Sequence, residues 1–380
     1  MRFHVIGLPH TQTHRRHCAC AYTMKVLNFC RMMKSLGHEV VHYGAEGSQV
    51  ECDEHVQTIS LAEQLLLIGP QDYRRHTYSV PWDHELPHWQ LANSRTIVEL
   101  LRRAQQRDFL CLIGGGAQKP IADAVTRAGV LPVEFGIGYT GTFAPYRVFE
   151  SYAHMHTLYG AAHPSGDTDG RFCDCVIPNY YDPVDFPAGD GRGGYFLYIG
   201  RLIRRKGIQI AVDTAGQLGA RLLVAGQGCR ESQPGRIVAD DGSIYEAEGL
   251  EYVGFADIRR RADLMGAARA VFVPTLYLEP FGGVNAEAQF CGTPVITTDW
   301  GAFPETVEQA RTGYRCRTLR QFVDAAQNVD RLNRHYIRTR AQQRWSMWNI
   351  RHRYHAYFEQ LYDLWDAGWY SLPDDLEPFN

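Results

Sequence analysis

The sequence predicts an α/β protein made of two Rossmann-like, doubly wound domains. A β-α-β start opens the chain, an apolar strand over 3–8, a helix over 21–36 closed by Gly37, and a second strand over 39–43. The alternation of strand, glycine turn and helix recurs after Tyr195, and the two blocks join near 178–194. At 380 residues the chain exceeds one ordinary core. The expected boundaries are 1–180, 181–345 and 346–380, the last a crossover helix and tail.

Within the first block, the region 52–91 reads as a long irregular insertion. Its aromatic segments Tyr73-Arg-Arg-His-Thr-Tyr78 and 82–89 suit a carbohydrate-facing loop or a plain surface loop. A helix over 91–105 leads to a strand at 109–113 that ends in Gly114-Gly115-Gly116, a helix then runs to 128, and a strand follows at 131–135. A helix is expected over 146–159 and a Gly/Asp loop over 164–170. In the second block, strands are expected at 195–199, 221–225, 270–273 and 294–298. Near the C-terminus, Tyr354, Tyr357, Phe358, Leu361, Tyr362 and Trp365 recur at helical spacing and form one apolar stripe that must pack on something.

Composition excludes several classes. With 45% apolar and 21% charged residues the chain is globular, and a net charge of −3 gives no global demand for nucleic acid. No run approaches the ~18 apolar residues of a membrane span, and the N-terminus begins directly with a strand, so the expected location is cytoplasmic. The ten cysteines have no CxxC pair and read as reduced thiols. His10, His14, His17, Cys18 and Cys20 crowd one loop, but their spacing matches no zinc finger, and a loop whose imidazoles hydrogen-bond a polyhydroxylated substrate is the expectation. The basic stretch Arg331, Arg334, Arg338, Arg340 and Arg344 reads as a solvated face, with contact to an anionic acceptor or membrane surface as the alternative.

Two segments carry chemistry. In Glu279-Pro-Phe-Gly-Gly-Val-Asn-Ala-Glu287 the two carboxylates are the only charges between Thr275 and Thr298. Pro280 suits a first helical turn and Gly282-Gly283 leave backbone N–H groups uncovered, so a helix start with bare amides, an anion site, is expected there. Upstream, a strand runs into Gly200 and then Arg201, Arg204, Arg205 and Lys206. Lys206 is one of only four lysines against thirty-five arginines, which suggests a point charge is needed in place of a planar fork. The run follows a strand's C-terminal end, where open α/β sheets bind ligands.

These segments, with Val176-Ile-Pro-Asn-Tyr-Tyr-Asp182, Gly226-Gln-Gly228, Val253-Gly254 and Gly301-Ala-Phe-Pro-Glu305, resemble the nucleotide-sugar-dependent glycosyltransferases of the two-Rossmann GT-B type, most closely the retaining glycosyltransferase family 4. The resemblance is specific over about 176–316 and extends to the N-terminal half only in layout. It implies two domains facing across a cleft, with the C-terminal helix crossing back to the N-terminal domain. It also implies transfer of a sugar from a UDP- or GDP-sugar to an acceptor hydroxyl with retention of configuration. Arg201, Lys206 and the N–H groups of Phe281, Gly282, Gly283 and Val284 would stabilise the leaving diphosphate, so no metal or other cofactor is called for. Glu279 would bind sugar hydroxyls near the reacting carbon and Glu287 the ribose hydroxyls, while Gly200, Gly226, Gly228 and Gly254 would form the nucleotide-side floor.

Departures concern the acceptor. The loop after the first strand begins Gly7-Leu-Pro-His-Thr-Gln-Thr13 and, followed to Cys20, holds His10, His14 and His17 against one glycine, and the histidine that many family members carry after the strand 131–135 is replaced by Gly136-Ile-Gly-Tyr139. His10, Glu134, Tyr139 and His154 are the acceptor-side candidates, and at most one of His154 and His156 faces a cleft. The acceptor stays open among small molecules, glycans, lipid-linked glycans and modified nucleobases. Two rivals stand beside this reading: an NAD(P)-dependent oxidoreductase using Gly136-x-Gly138-x-x-Gly141, and a noncatalytic nucleotide-sugar-binding module.

Overall fold

The computed structural model describes residues 1–76, 80–125 and 128–364. Two compact units divide the chain: residues 1–70, 80–180 and 347–380 form the first, and residues 71–79 and 181–346 the second. Residues 71–76 thus group with the second unit although they interrupt the sequence of the first.

The first unit holds one seven-stranded sheet: β1 (Arg2–Ile6), β2 (Glu39–Ala45), β3 (Glu54–Ile59), β4 (Phe109–Leu112), β5 (Leu131–Ile137), β6 (Tyr146–Phe149) and β7 (Asp174–Val176). The order is β3-β2-β1-β4-β5-β6-β7 and every pairing is parallel. Helices are α1 (Ala21–Ser35), α2 (Leu61–Ile68), α3 (Pro87–Arg103), α4 (Lys119–Val125) and α5 (Tyr152–Ala162). Central strands are buried on both faces, as the unbroken apolar run of β4 requires. The strand order reverses direction between β1 and β4, which places a crevice at their C-terminal ends.

Two expectations fail here. The region 52–91 is not irregular: it contains β3, α2 with a Ser60/Glu63 capping box, and the start of α3 at Pro87. The expected helix over 146–159 is the strand β6 followed by α5, whose N-cap is Ser151. His154 is buried and His156 exposed on that helix. Thr77 and Tyr78, read as part of an aromatic insertion, lie outside the described residues, as does Trp365.

In the second unit, β8 (Phe196–Ile199), β9 (Leu222–Ala225), β13 (Leu250–Gly254), β14 (Val271–Val273), β15 (Val295–Thr298) and β16 (Gly313–Cys316) form a parallel sheet in the order β13-β9-β8-β14-β15-β16. Between β9 and β13 the chain adds an antiparallel sheet of β10 (Cys229–Gln233), β11 (Arg236–Ala239) and β12 (Ile244–Glu246), which the sequence reading did not anticipate. Its turns are Pro234-Gly235, with Gly235 at φ +81°, and a turn holding Gly242 at φ +85°. Helices are α6 (Ile208–Leu218), α7 (Ile258–Ala267), α8 (Gly283–Phe290), α9 (Phe303–Thr306), α10 (Leu319–Asn328) and α11 (Arg334–Trp345).

The arginines of α11 are not a solvated face. Arg334 donates to the carbonyls of Gly266 (3.0 Å) and Ala268 (3.2 Å), Arg338 to those of Phe186 (2.6 Å) and Phe290, Arg344 to that of Glu305, and Arg340 pairs with Glu308 at 2.8 Å. Arg334, Arg338 and Arg344 are half-buried clamps on carbonyls near element ends, Arg340 is held by a carboxylate, and only Arg331, before the helix, is exposed among these five.

The last helix, α12 (Met347–Asp363), packs in the first unit. Its stripe buries Tyr354, Tyr357, Phe358 and Leu361. Phe358 lies edge-on to Phe3 (4.7 Å) and Phe109 (4.8 Å), and Tyr354 edge-on to Phe29 (5.3 Å). Phe358→Ala should therefore cost about 3–5 kcal/mol in urea unfolding. A loss below 1 kcal/mol would mean that α12 is not part of this core.

Candidate functional site

In the second unit the strand order reverses between β8 and β14, and the residues singled out from the sequence gather at the C-terminal ends of these strands and of β9. The turn after β8 is held by backbone bonds from Gly200 N–H to Ala225 (3.0 Å) and from Leu202 N–H to Gln227 (2.9 Å). A Cβ on Gly226, at φ +144°, would lie 1.9 Å from the Gly200 carbonyl oxygen, so this approach demands glycine. Gly207, at φ +72°, meets the Pro274 carbonyl in the same way, again at 1.9 Å. The residues Arg204–Lys206 form a 3-10 turn between these two contacts.

That turn delivers Lys206 to the segment following β14. Its Nζ donates to Glu279 Oε2 at 2.9 Å and to the Tyr277 hydroxyl at 2.6 Å, and Arg205 lies over the Tyr277 ring at 4.2 Å. Burial and the neighbouring Glu279 push the Tyr277 hydroxyl pKa up, so it stays a neutral donor. Glu279 is nearly buried and its backbone carbonyl accepts from Ala302 N–H at 2.9 Å. Gly301, at φ +60°, permits that clamp: a Cβ there would lie 2.6 Å from Glu279 N. Arg201 is exposed beside this group. Tyr277 was missed from the sequence; its place two residues before Glu279 was the available signal.

α8 begins at Gly283 behind Gly282 in a left-handed conformation (φ +85°). Asn285 N–H turns back to the Gly282 carbonyl at 2.9 Å, whereas the first-turn amides of Gly283 and Val284 have no intrahelical acceptor. The Phe281 ring is buried against Trp345 (5.8 Å) and Tyr181, so this residue offers only its backbone to a ligand. Inside the helix, Glu287 receives Arg261 of α7: one guanidinium nitrogen reaches both carboxylate oxygens at 2.7 Å. Burial raises the Glu287 pKa, with Arg261 opposing the rise. Arg261 was not anticipated.

The glycines expected as a floor lie together in part: Gly226 N–H bonds the Gly254 carbonyl (3.1 Å), and the Tyr252 hydroxyl donates to the Gly226 carbonyl (2.7 Å). Residues 71–76 lie against this cluster. Gly228 N–H donates to the Arg75 carbonyl at 3.0 Å, the Gln227 amide donates to the Tyr73 carbonyl, and the Tyr73 ring stands edge-on to Phe255 at 6.1 Å.

The four acceptor-side candidates all lie in the first unit, and three of them form one chain of bonds. Tyr139 donates its hydroxyl to Glu134 (3.1 Å), and the Tyr139 carbonyl contacts His154 Nε2 (3.1 Å). The second Glu134 oxygen accepts Phe143 and Ala144 N–H groups, both at 2.8 Å, so Glu134 holds the loop after β5; burial raises its pKa against those donors. His10 sits apart, against Trp82 (5.8 Å) and Trp89 (6.2 Å), with Tyr22 touching both Trp82 (4.9 Å) and Tyr139 (5.9 Å). Burial, helped by His88 and His17, lowers the His10 pKa to about 3, so the ring is neutral at pH 7. His17 bonds Gln12 (2.7 Å), and among the described residues no three His, Cys, Asp or Glu side chains converge as a metal site would require.

The Gly136-x-Gly138-x-x-Gly141 motif does not open a helix: β5 passes through a loop directly into β6. A dinucleotide fingerprint needs a helix N-terminus for the pyrophosphate, and there is none here. Lys25 occupies the ground instead, bonding the Gly136 carbonyl (2.9 Å) and Glu150 (2.8 Å) in a buried ion pair.

The fold of the two units is similar to that of solved GT-B glycosyltransferases. Residues 193–332, a segment of the second unit, match the family model described as glycosyl transferases group 1. Among curated relatives, the glycogen synthase of Mycobacterium tuberculosis (strain CDC 1551 / Oshkosh) is 32% identical over 150 residues, 37% of this chain and 35% of that protein. The D-inositol 3-phosphate glycosyltransferase of Gordonia bronchialis is 28% identical over 175 residues, 42% of this chain and 38% of that protein. The chain thus spans little more than a third of the length of these relatives. Solved structures extend the likeness over nearly the whole fold. Sucrose-phosphate synthase from Thermosynechococcus elongatus covers 95% of this chain and 99% of its own at a TM-score of 0.66 and 16% identity. Anabaena HepE in complex with UDP-glucose covers 96% and 100% at 0.63 and 14%.

Two measurements test this geometry. Gly207→Ala should cost about 2 kcal/mol or more in denaturant unfolding, because it combines a left-handed alanine with a clash on Pro274 O; a neutral substitution would refute the close approach. His10 and His42 have folded pKa values of about 3 against 6.5 in the unfolded chain, both through burial. The unfolded chain therefore takes up protons first as pH falls. Stability should decline from about pH 6.5 towards 3, by up to roughly 1.4 kcal/mol per pH unit per histidine. Thermal melts between pH 7.5 and 4 should show His42→Gln with the shallower decline.

Proposed function

We propose that this chain is a metal-independent, retaining glycosyltransferase that moves a sugar from a nucleotide-diphosphate sugar, a UDP- or GDP-sugar, to an acceptor hydroxyl. The observation that carries the proposal is the Lys206–Glu279–Tyr277 group at the β8/β14 reversal, within the segment that matches the glycosyltransferase family. Bound UDP-glucose in a structure of the same fold supports the donor class.

In this reading, negative charge grows on the leaving diphosphate as the anomeric bond breaks. Lys206, Arg201 and the first amides of α8 receive that charge. The bond to Lys206 fixes the Glu279 carboxylate, so its free lone pairs accept sugar hydroxyls without reorganisation at the reacting carbon. Glu287 accepts the ribose diol, and Gly200, Gly226, Gly228 and Gly254 let the nucleotide approach the backbone. Two cations, of which Lys206 is held by Glu279 and Tyr277, and a helix terminus supply the charge that a divalent ion supplies elsewhere. On the first unit, Tyr139, His154 and His10 present neutral hydrogen-bonding groups to the acceptor, and Glu134 positions Tyr139.

Calorimetric titration with UDP-, GDP-, ADP- and TDP-sugars should show saturable binding of one donor that EDTA does not disturb. Lys206→Ala should abolish detectable binding and reduce turnover on the order of 10²-fold or more. Binding that needs a divalent metal, or that survives in Lys206→Ala, would overturn the proposal.

A further inference from the structure

Resting on the donor reading above, we infer that Arg261 is a positioning residue for nucleotide recognition: it holds the Glu287 carboxylate ionised and oriented for the ribose diol, and so sets the pH range over which the chain binds its nucleotide. The geometry is specific. A single Arg261 nitrogen bridges Oε1 and Oε2 of Glu287 at 2.7 Å each, with both side chains nearly buried. One donor shared between both oxygens occupies the edge between them and leaves one outward lone pair on each oxygen to accept a ribose hydroxyl. It also fixes the carboxylate plane, which a lone glutamate on a helix would leave to rotate.

Arg261 carries this task because nothing else near Glu287 can. From α7 the facing charge is Arg261; from the turn Pro183–Asp185 comes Asp185, a like charge that disfavours ionisation; from the C-cap of α8 comes the Cys291 thiol, which burial keeps protonated. Arg334 and Arg338 of α11, which act on Cys291, spend donors on the carbonyls of Gly266, Ala268, Phe186 and Phe290. β14 and β15, packed on the other side, bring no ionisable group. Without Arg261, a buried carboxylate beside Asp185 takes up a proton nearer neutrality and turns from acceptor to donor.

The test uses the full chain with UDP, GDP and ADP, each paired with its 2′-deoxy counterpart, titrated from pH 5.5 to 8.5. For the nucleotide that binds, the wild type should prefer the ribo over the deoxy form by about tenfold, the worth of a hydrogen bond to a charged group. Arg261→Gln should shrink that preference towards one below neutrality and recover it at high pH, with the midpoint displaced upward. Arg261→Lys, which restores charge, should bring the midpoint back while leaving affinity several-fold weaker. If Arg261→Gln does not fold, Arg261→Lys still decides the matter, because its midpoint must match the wild type. Equal weakening of ribo and deoxy forms with an unmoved pH profile would reduce Arg261 to a structural ion pair and overturn the inference alone. Binding of no nucleotide by the wild type, or a ribo preference untouched in Glu287→Gln, would overturn the donor reading and this inference with it.

Discussion

The second unit depends on one close backbone contact. Gly207 meets the carbonyl of Pro274 at a distance that admits no side chain, and this draws the turn after β8 against the segment leaving β14. Lys206 precedes that contact by one residue and Glu279 follows it by five, so the contact brings the ammonium to the carboxylate. Gly226 on Gly200 and Gly301 on Glu279 repeat the device on either side. Three glycines in left-handed or otherwise L-disfavoured conformations thus position charges on neighbouring loops without using any of those charges to hold the loops in place.

Charge is used economically on this frame. Lys206 with Glu279, Arg261 with Glu287, and Lys25 with Glu150 each set a cation against a buried or nearly buried carboxylate. Such pairs contribute little net stability, because desolvation offsets most of their attraction, and breaking one strands a buried charge. Their value lies in orientation. The two pairs of the second unit hold both glutamates of the motif in defined geometry beside the start of α8, whose first amides add positive potential. The Lys25–Glu150 pair does comparable work in the first unit, where it occupies the ground beneath Gly136. Lysine and arginine divide these tasks by shape. The compact ammonium of Lys206 bonds a carboxylate and a phenol together, whereas the forks of α11 span several carbonyls at once.

The main architecture was legible because its signals are local. Apolar strands ending in glycine, the stripe on α12, and Glu279 and Glu287 around a glycine pair all report on adjacent residues. The misreadings have equally definite causes. β10 to β12 are short and largely exposed at β10, so they lack an apolar run, yet Pro234-Gly235 and Asp241-Gly242 were hairpin signals in plain view. β3 alternates burial with exposure and so lacks the apolar run that marks a strand, although Ser60 and Glu63 signal the helix that follows. β6 was absorbed into a helix because its four residues run directly up to the N-cap Ser151.

What the sequence determined by itself was two doubly wound blocks, the carboxylate pair and the basic turn, since each rests on spacing within about a dozen residues. Tertiary structure alone decided which charges meet. Tyr277 joining Lys206, Arg261 reaching Glu287, Glu134 anchoring a loop, the α11 arginines closing on carbonyls, and residues 71–76 settling against the glycine cluster join residues from nine to over a hundred and fifty positions apart. Most of these depend on the strand order of a parallel sheet. Pairing β8 with β14 across some seventy residues is a non-local event, and no window of sequence contains both partners.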